Sequence, residues 1–265
     1  MNCMHRTAAQ NLGKPQRFTV ATNLHLPGAS TGLVESYYSL TTTNDHGFLV
    51  SPDGLTGLVL IDEQIWWLGP QTCPWLPERS GLEVYGLRIG MEWGQLIAGV
   101  PLDKMRDARV PIEELWGRAE TTSATSLFPQ LPLERLRTLL LARATGGFVD
   151  QWVTKVAGLI RAGEHCVAEI ADLSDVSNRQ LHRRCLTYFG LPPSVLMRIF
   201  RLRRAATDVA QRKNLELAEL AVASGYFDQS HLNRDTRELS GQSPTTAFKR
   251  ASNVRFVQYQ PNAAQ

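Results

Sequence analysis

The 265-residue sequence predicts an α+β chain of two domains: a β-rich, barrel-like front followed by helices, and an all-α final third in which a linker helix joins two helix-turn-helix units. Three observations predict this. From Phe18 to about Ala98, β-branched and aromatic residues dominate, and Gly or Pro interrupts them every eight to twelve residues. After Ala98, successive segments open on proline and continue with helix formers. Beyond about residue 166, one pattern of residues occurs twice.

In the front half, Gly32–Leu40, Gly47–Ser51, Gly57–Ile61, Gln64–Leu68 and Leu82–Ile89 read as strands of an antiparallel sheet or small barrel, with Pro52-Asp53-Gly54 as a turn. Helices are expected over Pro101–Asp107, Pro111–Arg118 and Pro132–Ala144, and Thr121–Gln130, with its Thr, Ser and Pro, reads as an exposed connection. An amphipathic helix over Asp150–Ala162 runs into Gly163. The domain boundary is expected near Gly163–His165, giving a front domain over 1–163, a second over 164–255 and a tail over 256–265.

Composition excludes several classes. No stretch approaches the ~20 apolar residues of a membrane helix, and the start MNCMHRTAAQ has no apolar run behind its charge, so a cytoplasmic protein without membrane contact is expected. Cys3, Cys73, Cys166 and Cys185 lack Cys-x-x-Cys spacing and read as free thiols. The net charge of +3 is unevenly spread. Arg179, Arg183, Arg184, Arg198, Arg201, Arg203, Arg204, Arg212 and Lys213 stand against the single acid Asp208, a positive field of the kind a polyanion attracts.

The repeat is positional. Ile170-Ala171 recurs fifty residues later as Leu220-Ala221; Ser177, Leu181, Arg183, Gly190 and Pro193 recur at an offset of fifty-one as Asp228, Leu232, Arg234, Gly241 and Pro244. The one-residue slip falls inside the turn. Ala171 and Ala221 are small where two helices cross closely, and Gly225 supplies a left-handed turn residue whose counterpart is Asp175. Ser177 and Asp228 are N-caps. Leu181 and Leu232 point inward, which leaves Asn178, Arg179, His182 and Arg183 exposed in one copy, and Gln229, Ser230, Asn233 and Arg234 in the other. Such side chains can read double-stranded DNA, Arg by a bidentate bond to guanine and Asn or Gln by one to adenine. A helix over Ser194–Lys213 joins the copies and would span ~30 Å, close to the ~34 Å turn that separates successive major grooves.

With these features, Val167–Arg250 resembles the DNA-binding domain of the AraC/XylS transcription regulators, most closely in AELAVASGYFDQSHLNRDTRELSGQSPTTAFKR. The resemblance implies seven helices, recognition helices at about Asn178–Phe189 and Gln229–Leu239, and a linker helix carrying Arg201, Leu202 and Ala205. It implies sequence-specific promoter binding as an activator, with RNA polymerase as a partner. Cys185 and Thr236 stand where the family usually has phenylalanine, which implies looser packing of both recognition helices. SPDGLTGLVLI, LGPQT, GLRIG and VPIEELWG resemble the cupin-like front domain of some of these regulators, which implies a small-molecule effector or a homodimer there.

Enzymatic readings find little support. A catalytic cupin fused to a DNA-binding tail would need a His-x-His pair, but His25 and His46 stand alone. Asp62 and Glu63, read as adjacent strand residues, would face opposite sides of the sheet, and no Ser-His-Asp order, phosphate loop or G-x-S-x-G element occurs. No catalytic residue, metal or cofactor is expected. Trp66, Trp67, Trp75, Trp93 and Trp116 suit a sheet core, with one of Trp66 and Trp67 facing outward towards an effector or a partner. The competing reading is an interaction protein whose front domain contacts RNA polymerase or another factor without sensing an effector.

Overall fold

Pairing in the front half follows residue alternation. The structure, a computed structural model, describes residues 20–21, 32–41, 51–74, 83–127, 133–144, 148–211 and 216–253. The strands are β1 (Val20–Ala21), β2 (Val34–Thr41), β3 (Thr56–Ile61), β4 (Gln64–Leu68), β5 (Glu83–Ile89) and β6 (Arg109–Pro111), in the sheet order β1-β2-β5-β3-β4-β6 with every pairing antiparallel. The expected strand Gly47–Ser51 falls largely outside the described residues, as do His25, His46, Trp75 and the tail.

Register places Leu58 beside Trp67 and Leu87, and Leu60 beside Ile65, so these side chains share one face. That face is covered by α1 (Gly94–Ala98), a 3-10 turn at Leu102–Met105, α2 (Ile112–Trp116) and α4 (Leu133–Ala144), which contribute Ile97, Leu102, Met105, Ile112, Trp116, Leu136 and Leu140. Trp67 is fully buried there, and the indole N–H of Trp116 donates to the Ile97 carbonyl at 3.2 Å. Val59, Leu68 and Val84 form a smaller cluster on the opposite face, with the half-buried Trp66 packed against it, so the Trp66-Trp67 pair divides between the faces as alternation requires.

Two local expectations are corrected. Asp62 and Glu63 are the exposed two-residue turn between β3 and β4, with φ of 49° and 62°, rather than strand residues. Thr121–Gln130 is not a connection, because its first residues lie in α3 (Arg118–Leu127). The hydroxyls of Thr121 and Thr122 donate to the carbonyls of Gly117 and Arg118, satisfied within the helix instead of competing with it.

The last third comprises α5 (Gln151–Ala162), α6 (Val167–Leu173), α7 (Asn178–Phe189), α8 (Pro193–Gln211), α9 (Leu217–Ala223), α10 (Gln229–Ser240) and α11 (Pro244–Asn253). A second core joins Val153, Val156, Ala157 and Ile160 of α5 to Ile170, Leu181, Cys185, Phe189, Leu196 and Ile199, and takes in Leu55 and Met91 from the front half. A third core comprises Ala205, Leu220, Ala221, Tyr226, Leu232 and Phe248. Cys185 and Thr236 are both fully buried, and Thr236 donates its hydroxyl to the Leu232 carbonyl at 2.7 Å, so neither α7 nor α10 is left open to solvent at those positions.

Ion pairs tie the sheet to the helices. Arg203 of α8 donates to the Asp53 carbonyl at 2.9 Å and to Glu35 at 3.1 Å. Arg161 of α5 forms a two-pronged pair with Glu92, one bond being 2.8 Å, and lies 3.9 Å from Glu35. Burial works against the charge of Arg161, but Glu92 and Glu35 prevail and hold it above its ordinary value. Gly54, at φ +75°, sits where a Cβ would come within 2.8 Å of the Phe200 ring, so the loop closes on α8 only without a side chain. Beneath it, Asp53 pairs with Arg88 at 2.8 Å and also accepts from the Leu55 N–H at 3.0 Å.

The Arg88 side chain is only 4% exposed. Asp53→Ala removes a carboxylate that pairs with Arg88 together with the turn's internal bond, and should cost ~1–3 kcal/mol, read as a lowered urea midpoint; an unchanged midpoint would show that the Asp53 pair contributes little to stability. Burial pushes the Cys185 thiol up to about 12 against a weak opposing effect of Arg184, whereas Cys166 is exposed. Site-resolved labelling with iodoacetamide near pH 8 should therefore modify Cys166 in the folded chain and Cys185 only after denaturation.

Candidate nucleic-acid interface

Two copies of one backbone turn build the interface. In the first, Ser174 N–H donates to Ile170 O at 3.0 Å, Asp175 N–H to Asp172 O at 3.1 Å and Val176 N–H to Ala171 O at 3.1 Å. In the second, Ser224 N–H donates to Leu220 O at 2.9 Å, Gly225 N–H to Val222 O at 3.1 Å and Tyr226 N–H to Ala221 O at 2.8 Å. Every partner is displaced by fifty residues. Asp175 and Gly225 carry the left-handed residue of each turn, at φ 56° and 82°. Open space surrounds Gly225, so its backbone conformation rather than crowding favours glycine.

The N-caps fix where each following helix begins. Ser177 accepts from the Gln180 N–H while the Gln180 side chain accepts from the Ser177 N–H at 2.9 Å, a reciprocal capping box. Asp228 accepts from the His231 N–H at 2.7 Å. Helices α7 and α10 then bury Leu181 and Leu232 completely. Asn178, Arg179, His182 and Arg183 are exposed on α7; on α10, Gln229, Ser230 and Arg234 are exposed and Asn233 is half-buried. The structure thus brings each set of candidate residues onto one outer helix face, with Gln180 diverted to the cap.

The positive run divides differently from what its sequence suggests. Arg184 turns inward, its guanidinium 3.7 Å from the centre of the Trp152 ring and 3.0 Å from Asp150. Arg198 pairs with Asp235 at 2.8 Å and with Glu238; Arg203 holds Glu35, and Arg204 donates to the Arg161 and Ala162 carbonyls. Arg201 lies over the Tyr226 ring at 5.3 Å. Arg179 and Arg183 remain as exposed cations of the run, and Arg212 and Lys213 lie outside the described residues. Arg234 and Arg237, outside that run, are exposed on α10.

The Arg198 pair escaped the sequence reading. Asp235 is 2% exposed, and its carboxylate fixes α10 on α8. Burial opposes the Arg198 charge, but Asp235 and Glu238 outweigh it and raise its pKa. Burial and then the charge of Asp235 push the Tyr226 hydroxyl far up, so it stays neutral. The signal was present: Leu232, Asp235, Thr236 and Leu239 follow the i, i+3, i+4, i+7 spacing of a buried helix face, and an acid on such a face calls for a cation. Among the described residues, no group of three His, Cys, Asp or Glu side chains could hold a metal ion, and no helix is long and apolar enough to cross a membrane.

Residues 170–250 match a helix-turn-helix domain family. No curated protein matches the chain. Similar solved structures include a transcriptional regulator with an AraC-type DNA-binding domain from Chromobacterium violaceum, 26% identical over 39% of this chain and 93% of that one, with a TM-score of 0.35. ToxT from Vibrio cholerae is 11% identical over 83% of this chain and 98% of that one, with a TM-score of 0.48. A DNA-binding transcriptional dual regulator from Escherichia coli K-12 is 22% identical over 41% of this chain and 98% of that one, with a TM-score of 0.34. Residues 170–250 thus combine a match to a helix-turn-helix domain family with two copies of the same backbone turn between short helices.

Proposed function

We propose that the chain activates transcription by binding specific promoter DNA, with α7 and α10 entering two successive major grooves. The observation that carries this reading is the pair of equivalent turns joined by α8, whose 19 residues span ~28 Å, near the ~34 Å turn of B-DNA. Asn178, Arg179, His182 and Arg183 face one groove; Gln229, Ser230, Asn233 and Arg234 face the next. Arg183 and Arg234 occupy matching places and suit guanine or a phosphate, while Asn178, Gln229 and Asn233 suit adenine. The resemblance to AraC/XylS regulators supports contact with RNA polymerase and a front half that takes a small-molecule effector or a second copy. The half-buried Trp66, on the face of Val59, Leu68 and Val84, is the aromatic wall available to such a ligand.

Packing favours a DNA-binding unit that starts at about residue 148 rather than after Gly163, because α5 lines the second core and Trp152 and Asp150 hold Arg184 of α7.

Arg183→Ala and Arg234→Ala should each weaken binding to a selected operator. A phosphate contact lowers the salt slope by about one on all sequences, and a base contact costs ~1–3 kcal/mol on the preferred site only. Fluorescence anisotropy at several salt concentrations separates the two, and unchanged affinity for both variants on every DNA sinks the assigned orientation of α7 and α10. A fragment of residues 148–265 should unfold cooperatively by circular dichroism, whereas one of 164–265, stripped of Val153, Val156, Ala157 and Ile160, should be markedly less stable. Equal stability of the two would restore the boundary at Gly163.

A further inference from the structure

We infer that Phe227 is a DNA-reading residue peculiar to the second unit, its phenyl ring set to contact a thymine methyl group at the edge of the groove entered by α10. The inference rests on the proposed DNA-binding reading and deepens it.

Phe227 is the residue by which the two copies differ in length. Val176 and Tyr226 are equivalent, each donating its N–H to the alanine carbonyl of its unit, and Ser177 and Asp228 are equivalent N-caps. Between the first pair and the second, the first copy has no residue and the second has Phe227. The insertion changes neither the core nor the cap: Tyr226 is 4% exposed and the Asp228 carboxylate caps α10. It therefore acts only on the surface, where Phe227 is 89% exposed.

Its position limits what it can serve. The ring stands immediately before the N-terminus of α10, next to exposed Gln229 and Ser230, and the N-terminal residues of a recognition helix are those that meet base edges. Arg234 and Arg237, both exposed on the same helix, supply the charge that draws the phosphate backbone to this end of the molecule. A phenyl ring carries no hydrogen-bonding group, so among the bases it distinguishes the one with an apolar group in the major groove, the thymine C5-methyl. The first unit offers polar side chains alone at the corresponding place, Ser177 and Asn178. The two grooves are accordingly read by different chemistry, with the thymine preference belonging to the half-site under α10.

The full-length chain tests this on an operator selected from random DNA, in which each thymine is replaced singly by deoxyuridine, which differs only in lacking the methyl group. Wild-type affinity should fall about fourfold at one thymine of the α10 half-site, the factor for one buried methyl. Phe227→Ala should be insensitive at that thymine while keeping the wild-type response to changes under α7, and Phe227→Leu should keep the methyl dependence. Val222→Ser, which alters the other large exposed apolar side chain of this unit, should leave it unchanged. Because Phe227 is exposed, the melting temperature of Phe227→Ala should match wild type. The inference is overturned if no thymine is selected in that half-site, if wild type tolerates every deoxyuridine, or if Phe227→Ala retains the fourfold step. A shift in sedimentation of both Phe227→Ala and Val222→Ser from dimer to monomer would overturn it in favour of a contact between copies. Absence of any selected sequence with wild type would instead remove the DNA-binding reading beneath it.

Discussion

Helix α8 belongs to two cores at once, and the rest of the structure depends on that constraint. Leu196, Ile199 and Phe200 lie in the core of the first unit, Ala205 in that of the second, and Leu202 packs against both. A single helix that is buried at both ends has no freedom to rotate one unit without the other, because neighbouring turns are coupled through the same backbone hydrogen bonds. Its arginines extend the constraint outward: Arg198 to α10, Arg203 to the sheet and Arg204 to the carbonyls that end α5. A run of positive charge that reads as a polyanion footprint is thus in large part the internal fastening of a linker helix.

This division explains what was legible in the sequence. The doubled turn could be read because its determinants are local: a small residue, a left-handed residue and a cap within a few positions of one another. Helix α7 spans the expected Asn178–Phe189, and α10 ends one residue beyond the expected Leu239. Strand β4 likewise coincides with Gln64–Leu68, since alternation and its flanking turn are local too. The partners of the arginines were not legible, because Arg203 meets Asp53 and Glu35 across sequence separations of 150 and 168 residues. Composition misled at Thr121 and Thr122, where hydroxyls that usually favour turns are absorbed by helix carbonyls one turn back. Asp235 was legible in principle, since an acid on the apolar spacing of α10 calls for a cation.

The contact between the halves is polar where it is specific and apolar where it is large. Leu55 and Met91 enter the core of the first helix-turn-helix unit, and beside them Glu35 and Glu92 answer Arg203 and Arg161 while the Asp53 carbonyl accepts from Arg203. These partly buried pairs share acceptors, Arg161 meeting Glu92 and Glu35 and Arg203 meeting Glu35 and the Asp53 carbonyl, so together they favour one seating of α8 on the sheet. The sheet is therefore fastened to the same helix that sets the separation of α7 and α10.

The two units are held in place by different forces. The first rests on apolar packing, with α5 adding Val153, Val156 and Ile160 beneath α7 and Trp152 lying under Arg184. The second has a smaller core and takes its orientation on α8 from the pair between Arg198 and the buried Asp235, with Glu238 as a further acceptor. Packing tolerates small shifts in a core, whereas a charge-assisted pair has one favourable geometry, set by the planar guanidinium. The planar Arg198 guanidinium thus adds a directional contact to the apolar packing of Leu232 and Leu239 in holding α10 on α8. With the Asp235 side chain only 3% exposed, salt screens this pair far less than it screens a pair on the surface.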